Sequence, residues 1–488
     1  MRSIERWRES VRNMNETFVR LTIRLGRVGF LGLLLVGLIG GADWPDDFDV
    51  DAVASRRDSG GQPTLAPFDR LAESLIREHR LPGLAIAVTD GGRLVHACGY
   101  GCGDLDSQTG VEPTSLFRIA SLSKPVTAVA VLQLVRDGRV SLDDPVVRHL
   151  GMDEEFQREP AACDPRWQQV TIEQLLQHRG GWDRDQSFDA MFQAVRFADQ
   201  LGIRSPAGAR DVIRAMVTQP FDFDPGQRYA YSNFGYNLLG RVIEHLTDSD
   251  YETYVRRQVL EPLGITAMRI GATRAEGRAS GEVRYYHPGS GQSVFADDRD
   301  QPVPHPYGAW NLEAMDAHGG WIASAVDLAR FATAFDEPER CPLLGREQIE
   351  RMHRRPQTAR LTANASGDAS TDADSPAETD GEADGAATEQ AVYYSLGWNN
   401  RQLKGDRYNR YNRWHTGSLP GTTAILIRRH DGRNFVVLVN SRWTPSSGGV
   451  ANDIDRRLHQ AAAEVDQWPT TDGFVKLGRT EAAELDAR

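Results

Sequence analysis

Two hairpin signals near opposite ends of the chain constrain its fold more than any other feature. Leu84–Asp90 and Arg93–Cys98 are apolar, strand-like runs joined by Gly91-Gly92, while Thr423–Arg428 and Asn434–Asn440 flank Asp431-Gly432. Gly-Gly and Asp-Gly supply the positive φ that tight hairpin turns require. The sequence between the hairpins has a largely helical pattern. Terminal strands around helical material suit one antiparallel sheet built from both chain ends, an α+β architecture. Phe68, Leu71, Leu75 and Ile76 mark an amphipathic helix before the first hairpin, and a helical pattern runs from Val450 to Val465 after the second.

The chemistry is concentrated around one lysine. Of 56 Lys+Arg only three are Lys, at 124, 404 and 476, and Lys124 lies in Phe117-Arg-Ile-Ala-Ser121-Leu-Ser-Lys124-Pro125. Arg cannot release its proton in a protein, whereas a desolvated Lys can and can then act as a base. A serine one helical turn before such a lysine has what an activated nucleophile needs. With 26 serines and three lysines in 488 residues, Ser-x-x-Lys arises by chance in roughly one sequence of six, so its context decides. Val126, Val129, Val131, Leu132, Leu134 and Val135 suit a mostly buried helix that ends at Asp137-Gly138, with Pro125 in its first turn. Ser121 would then sit at the helix N-terminus, where unpaired N–H groups favour developing negative charge. As a mere N-cap, Ser121 would call for Glu or Gln three residues on, not Lys.

Two further clusters extend the pattern. Pro225-Gly-Gln-Arg-Tyr-Ala-Tyr231-Ser-Asn233 carries Tyr-x-Asn before a helical stretch, and His415-Thr416-Gly417-Ser418 precedes a strand-like run. Ser-x-x-Lys, Tyr-x-Asn and His-Thr-Gly in this order resemble the serine β-lactamase-related hydrolases. The branch in question comprises class C β-lactamases, DD-peptidases with His-Thr-Gly, and related esterases and D-aminopeptidases. The likeness also covers Gly99-Tyr-Gly101, Leu142-Asp-Asp-Pro145, Leu175-Leu-Gln-His178, Gly319-Gly-Trp-Ile-Ala-Ser324, Asp327-Leu-Ala-Arg-Phe331 and Leu396-Gly-Trp398, over about residues 66 to 465.

The resemblance implies a β-lactamase/transpeptidase-like fold, in which a helical subdomain packs beside the sheet and the cleft lies between them. It makes Ser121 the acylated nucleophile and Lys124 and Tyr231 its proton carriers, either of which could be the acylation base. Asn233 would hold the substrate amide or the Lys124 ammonium. His415, Thr416 and Gly417 would form the wall strand of a substrate cleft, and the N–H groups of Ser121 and Ser418 the oxyanion hole. His-Thr-Gly in place of Lys-Thr-Gly removes a cation that a β-lactamase uses near the substrate carboxylate, which favours an esterase or peptidase. His178-Arg179-Gly180-Gly181 departs from the family's usual His-Thr-Ser-Gly, and His178 is read as a packing and hydrogen-bonding residue rather than a catalyst. The region Tyr285–Met315, rich in Pro, Gly, Tyr and Trp, would shape the cleft rim.

Other features set limits. Gly99-Tyr-Gly-Cys-Gly103 lacks the spacing of a phosphate-binding loop. There is no His-Glu-x-x-His and no Cys-x-x-Cys, so neither a metal nor a cofactor is expected. Four cysteines, Cys98, Cys102, Cys163 and Cys341, allow three full pairings in an oxidising compartment. The net charge is −12, but residues 1–42 carry seven Arg and three Glu, which puts the remainder at −16. Eight of those acids, with no base, fall in 361–390, an Ala/Ser/Thr/Gly-rich segment expected to be a disordered surface insertion. Nothing suggests nucleic-acid binding, which would want a basic patch.

The apolar stretch Val28–Gly40 follows Arg20, Arg24 and Arg27 and ends in Gly40-Gly-Ala42. It is short for a span and reads as a secretory signal over 1–42, with Met14 as an alternative start and an uncleaved anchor as the alternative fate. Residues 43–65 are expected to be a linker, 66–468 the catalytic domain and 469–488 a loose tail. The expected protein is a monomeric, periplasmic or secreted serine hydrolase acting on a small-molecule or peptide substrate with a reactive carbonyl. It would meet a membrane only through an uncleaved leader. The rival reading is a non-catalytic, penicillin-binding-like receptor for peptidoglycan fragments.

Overall fold

Nine strands of the computed structural model form one antiparallel sheet, and its centre is where the two chain ends meet. The strands are β1 (Arg57–Asp58), β2 (Gly83–Asp90), β3 (Arg93–Asp104), β4 (Thr109–Gly110), β5 (Val392–Tyr394), β6 (Asn399–Gln402), β7 (Tyr411–Leu419), β8 (Thr422–Arg428) and β9 (Arg433–Val439). Their order is β1-β3-β2-β9-β8-β7-β6-β5, with β4 on β3. The junction pairs β9 with β2, from Arg433 opposite Asp90 to Val439 opposite Leu84. Both expected hairpins form, and Gly91, Gly92 and Gly432 take positive φ at their turns. The structure describes residues 48–153, 156, 163–356, 392–403, 410–442 and 450–475. The expected leader over 1–42 and the expected disordered insertion over 361–390 lie outside the described residues.

Side chains alternate across the sheet, so each strand feeds two cores. Leu84, Ile86, Val88, Ile425, Ile427, Phe435 and Val437 face one cluster, with Phe68, Leu71, Leu75, Ile454 and Leu458. These last come from the helices Ala66–His79 (α2) and Val450–Ala463 (α6). Ala85, Ala87, Ala424, Leu426, Val436 and Leu438 face the larger cluster on the other side. That layer holds α3 (Ser123–Arg136), α4 (Asn233–Thr247) and α5 (Ala325–Thr333). Helix α3 is buried from Ser123 through Leu134, so the helix that carries Lys124 runs through the core. Burying a Leu- or Val-sized side chain contributes about 1.5–3 kcal/mol, which makes α3 a rigid mount.

A three-stranded sheet fixes the start of that mount. Phe117–Arg118 and Arg269–Ile270 both pair with Trp321–Ala323. Arg118, fully buried, donates to the carbonyls of Pro306 and Ala272 and lies over the Tyr285 ring. It thereby ties the 285–315 region to the strand leading into Ser121.

Three expectations need correction. Residues 43–65 are not a bare linker, because they contain helix α1 (Val50–Ser55) and β1. Val53 and Ala54 are buried, and Arg57 pairs with Asp69 at 2.7 Å. A six-residue helix is too short to show a period in sequence. The tail is docked through Phe474: Asp472 Oδ1 accepts from Leu94 N at 3.1 Å, and Phe474 packs on the larger core. The strand expected over Arg93–Cys98 runs on through the glycine-rich stretch to Asp104. A Cβ at Gly99 would lie 2.1 Å from the Val111 carbonyl oxygen, so close backbone crossing requires glycine there. All four cysteines are free thiols.

Candidate active site

The nucleophile candidate sits on a strained turn. Ala120 has φ +47°, a left-handed conformation costly for a residue with Cβ. Such strain persists only where surrounding contacts over-determine it. Ile119 N donates to Trp321 O at 3.0 Å, and Ser123 Oγ donates to Ala120 O at 2.7 Å. Ser121 lies in the 3-10 turn Ala120–Leu122, and α3 proper begins at Ser123. The serine is thus just outside the helix N-terminus that the sequence suggested, on a turn continuous with it.

Lys124 is fully buried and donates to three acceptors: Ser121 Oγ at 3.1 Å, Asn233 Oδ1 at 2.8 Å and His318 O at 3.0 Å. Three acceptors match the three hydrogens of an ammonium. Tyr231 Oη donates to the same Ser121 Oγ at 2.7 Å. Ser121 Oγ therefore accepts from both Lys124 and Tyr231. Asn233 opens α4, where Ser232 caps the helix by accepting from Gly235 N. Its Nδ2 donates to Asp189 Oδ2 at 2.6 Å, which turns its oxygen towards Lys124.

The wall strand comes close because residue 417 is glycine. A Cβ there would lie 2.1 Å from the Ile119 carbonyl oxygen. This contact brings β7 against the Ala120–Leu122 turn, so Ser418, Thr416 and His415 line the same cleft as Ser121. His415 is 2% exposed; its Nδ1–H donates to Thr416 O at 2.7 Å, and its Nε2 accepts from Tyr394 Oη at 3.0 Å. Burial, with the nearby Lys124 charge adding to it, pushes its pKa down to about 3, so the imidazole is neutral. His178 and His318 are depressed well below the usual range, by burial first and Lys124 second. His178 accepts from Ser232 N at 3.2 Å and packs against Tyr231 with ring centres 4.3 Å apart and planes tilted by 37°. Its role is to pack and position the Tyr231–Asn233 segment.

The cleft has a volume of about 290 Å³. Its floor holds Ser121, Tyr231, Asn233 and Thr416, and His305, Trp310 and Met315 from the expected rim region line it too. The motifs did not indicate the aromatic lining of Phe192, Tyr229 and Tyr394, nor Arg184 and Arg442. Asp189 was also missed. No local sequence signal marks these residues: Arg184, Asp189 and Phe192 share one connecting stretch, and Tyr229, Tyr394 and Arg442 come from three other places in the chain. Among the described residues the lining contains two arginines and no Asp or Glu, in a chain with 68 acidic residues.

The family model described as Beta-lactamase matches residues 68–461, most of the chain. The chain belongs to this family. Esterase EstB of Burkholderia gladioli is 31% identical over 271 residues, covering 54% of this chain and 63% of EstB. Protein flp of Staphylococcus aureus (strain N315) is 31% identical over 202 residues, 41% of this chain and 36% of flp. The chain thus spans about a third to somewhat under two thirds of these relatives. The D-amino acid amidase of Ochrobactrum anthropi SV3, solved with L-phenylalanine, superposes with TM-score 0.59 at 21% identity, covering 82% of this chain and 98% of the amidase. A penicillin binding protein from Bacillus halodurans gives TM-score 0.55 at 19% identity, over 80% and 99%. The shared fold is the β-lactamase/transpeptidase-like one that the three motifs imply.

Proposed function

We propose that this chain is a serine hydrolase that works through an acyl-enzyme on Ser121. The observation that carries the reading is Ser121 Oγ held at 2.7 Å from Tyr231 Oη and 3.1 Å from Lys124 Nζ, at the floor of an open cleft. In this reading Ser121 Oγ attacks the substrate carbonyl and loses its proton to the Lys124–Tyr231 pair. The N–H groups of Ser121 and Ser418 receive the oxyanion, where one donor typically contributes about 3–4 kcal/mol to the transition state. The same pair protonates the leaving group, and water then releases the acyl group.

The lining supports a neutral or anionic carbonyl compound as substrate. Among its described residues the cleft presents Arg184 and Arg442 and no carboxylate, a lining that disfavours the ammonium of a free amino-acid amide. Phe192, Tyr229, Trp310 and Tyr394 suit an apolar acyl or alcohol part. We therefore favour an ester substrate, in keeping with the esterase relative. The leader over 1–42 supports an exported enzyme as a further part of this proposal. Hydrolysis of activated short-chain esters by the wild type and Ser121→Ala tests the reading. Turnover in the wild type alone is expected, and equal turnover in both would overturn it.

A further inference from the structure

The cleft that holds Ser121 does not end at its aromatic wall. Phe192, on the 3-10 turn Ala190–Phe192, lines that cleft and also lines a second, open depression of about 470 Å³. The other walls of the depression are Gln193, then Val195, Arg196 and Asp199 from the helix Ala194–Leu201, and Val294 from the 285–315 region. One ring thus joins two hollows. Trp310, a buried cleft residue, stands beside it with ring centres 6.4 Å apart.

The junction is apolar and wet. Among the described residues the exposed large apolar side chains are Phe192, Tyr229, Val392 and Val475, and the two aromatic ones both line the cleft. Phe192 is 42% exposed, and apolar surface left in water beside a cleft marks a place where a ligand recovers the cost. The charged side chains of the depression are engaged elsewhere. Asp199 accepts two hydrogen bonds from Arg299, at 2.7 and 2.6 Å, and the Arg196 guanidinium lies 4.7 Å from the centre of the Phe188 ring. Phe192, Val195 and Val294 are left as an apolar shelf. An alkyl chain fits such a surface, whereas a peptide would bring amide groups that need partners. Size points the same way. The cleft alone, about 290 Å³, is at the low end of ligand sites, which run from about 300 to 1,000 Å³, and the depression extends it well into that range.

We propose that the depression beyond Phe192 is a subsite for the alkyl chain of a longer-chain ester, and that Phe192 is the step over which the chain leaves the cleft. The proposal rests on the serine-hydrolase reading above and narrows its substrate class. The chain can belong to the acyl or to the alcohol part of the ester, and the test separates the two. A methylene taken fully out of water gains about fourfold in binding. A shelf covers one side of a chain, so a smaller gain is expected, about tenfold in kcat/KM over the six methylenes between a four-carbon and a ten-carbon chain.

The test measures kcat/KM below micelle-forming concentrations for two series, nitrophenyl esters of lengthening acids and acetate esters of lengthening alcohols. The enzymes are the wild type, Val195→Asp and Ser121→Ala. Residue 195 is in the first turn of its helix, where a carboxylate suits the dipole, and the substitution sets a charge on the shelf outside the cleft. The wild type should favour the ten-carbon over the four-carbon chain about tenfold in one series, which identifies the side of the ester that is bound. Val195→Asp should bring that ratio back towards one. A wild type that prefers four carbons in both series overturns the proposal, and so does a Val195→Asp variant that keeps the wild-type ratio or lowers both rates equally. Should Val195→Asp fail to fold, the isosteric Gln193→Glu sets a charge on the same shelf and is read by the same ratio. Undiminished turnover in Ser121→Ala, or none in the wild type with any ester, would instead remove the hydrolase reading itself.

Discussion

Replacing Lys124 by Met should separate function from stability. Lys124 is fully buried and makes three hydrogen bonds to neutral acceptors, with no carboxylate among them. Taking an ammonium out of water costs several kcal/mol even after relaxation. Hydrogen bonds from a charged donor return about 1.5–3 kcal/mol each, so the two contributions nearly cancel. Met fills a similar volume, although it leaves Asn233 Oδ1 and His318 O without this donor. The net stability change in Lys124→Met should therefore stay within about 2 kcal/mol, a shift of a few degrees in Tm. Activity should fall by about 10³-fold or more, because positioned proton-transfer groups typically contribute 10²–10⁴. Lys124→Arg should be nearly as inactive, since a planar guanidinium cannot meet three acceptors grouped around one tetrahedral nitrogen. Denaturant unfolding and ester turnover on the same preparations check both halves. A stability loss above about 4 kcal/mol, or activity within tenfold of wild type, would refute the reasoning.

Three further outcomes follow from the geometry. Gly417→Ala should drive β7 away from Ile119, costing about 1–3 kcal/mol by overpacking and roughly 10²-fold in kcat as the N–H groups proposed to receive the oxyanion separate; wild-type kcat would contradict the close-contact argument. Asp189→Ala should free the Asn233 amide to turn its NH₂ towards Lys124, lowering kcat/KM about tenfold with little change in Tm, and unchanged kinetics would show that Asp189 does not orient it. Stability should also fall with acid. His96 and His415 are held at about 3, and His178, His318 and His353 well below the usual value, all chiefly by burial. The unfolded chain binds these protons near pH 6.5 while the folded chain does not. Each such histidine contributes stability that is present above the unfolded pKa and is lost as pH falls towards the folded one, at about 1.4 kcal/mol per pH unit. Denaturant midpoints between pH 7 and 5 should drop steeply, and a flat profile would contradict neutral burial of these rings.

Much of the fold was legible because its signals are local. Gly91-Gly92 and Asp431-Gly432 mark hairpins by turn chemistry, and the β9–β2 junction follows from placing terminal strands in one sheet. Ser121, Lys124, Tyr231 and Asn233 were legible through motif spacing, and the structure brings all four to one point. What stayed hidden depends on distant segments meeting. Arg184 and Tyr394 reach the cleft from distant parts of the chain, Asp189 supports it only through Asn233, and their types are common everywhere. The ordered stretch around Val53 and the docked Phe474 were hidden for another reason, since each buries a few side chains in a segment too short to show a period. Ala120 could not have been read as left-handed, because its strain is imposed by Trp321 and Ser123 rather than by its own type.

The central claim is a covalent acyl group on Ser121, and intact mass tests it most directly. The protein would be mixed with an activated ester that is released slowly, quenched in acid within the first turnover, and weighed beside Ser121→Ala. The account predicts an added acyl mass in the wild type alone, located on the peptide that contains Ser121. Turnover with no adduct in the wild type, or the same adduct in Ser121→Ala, would contradict it.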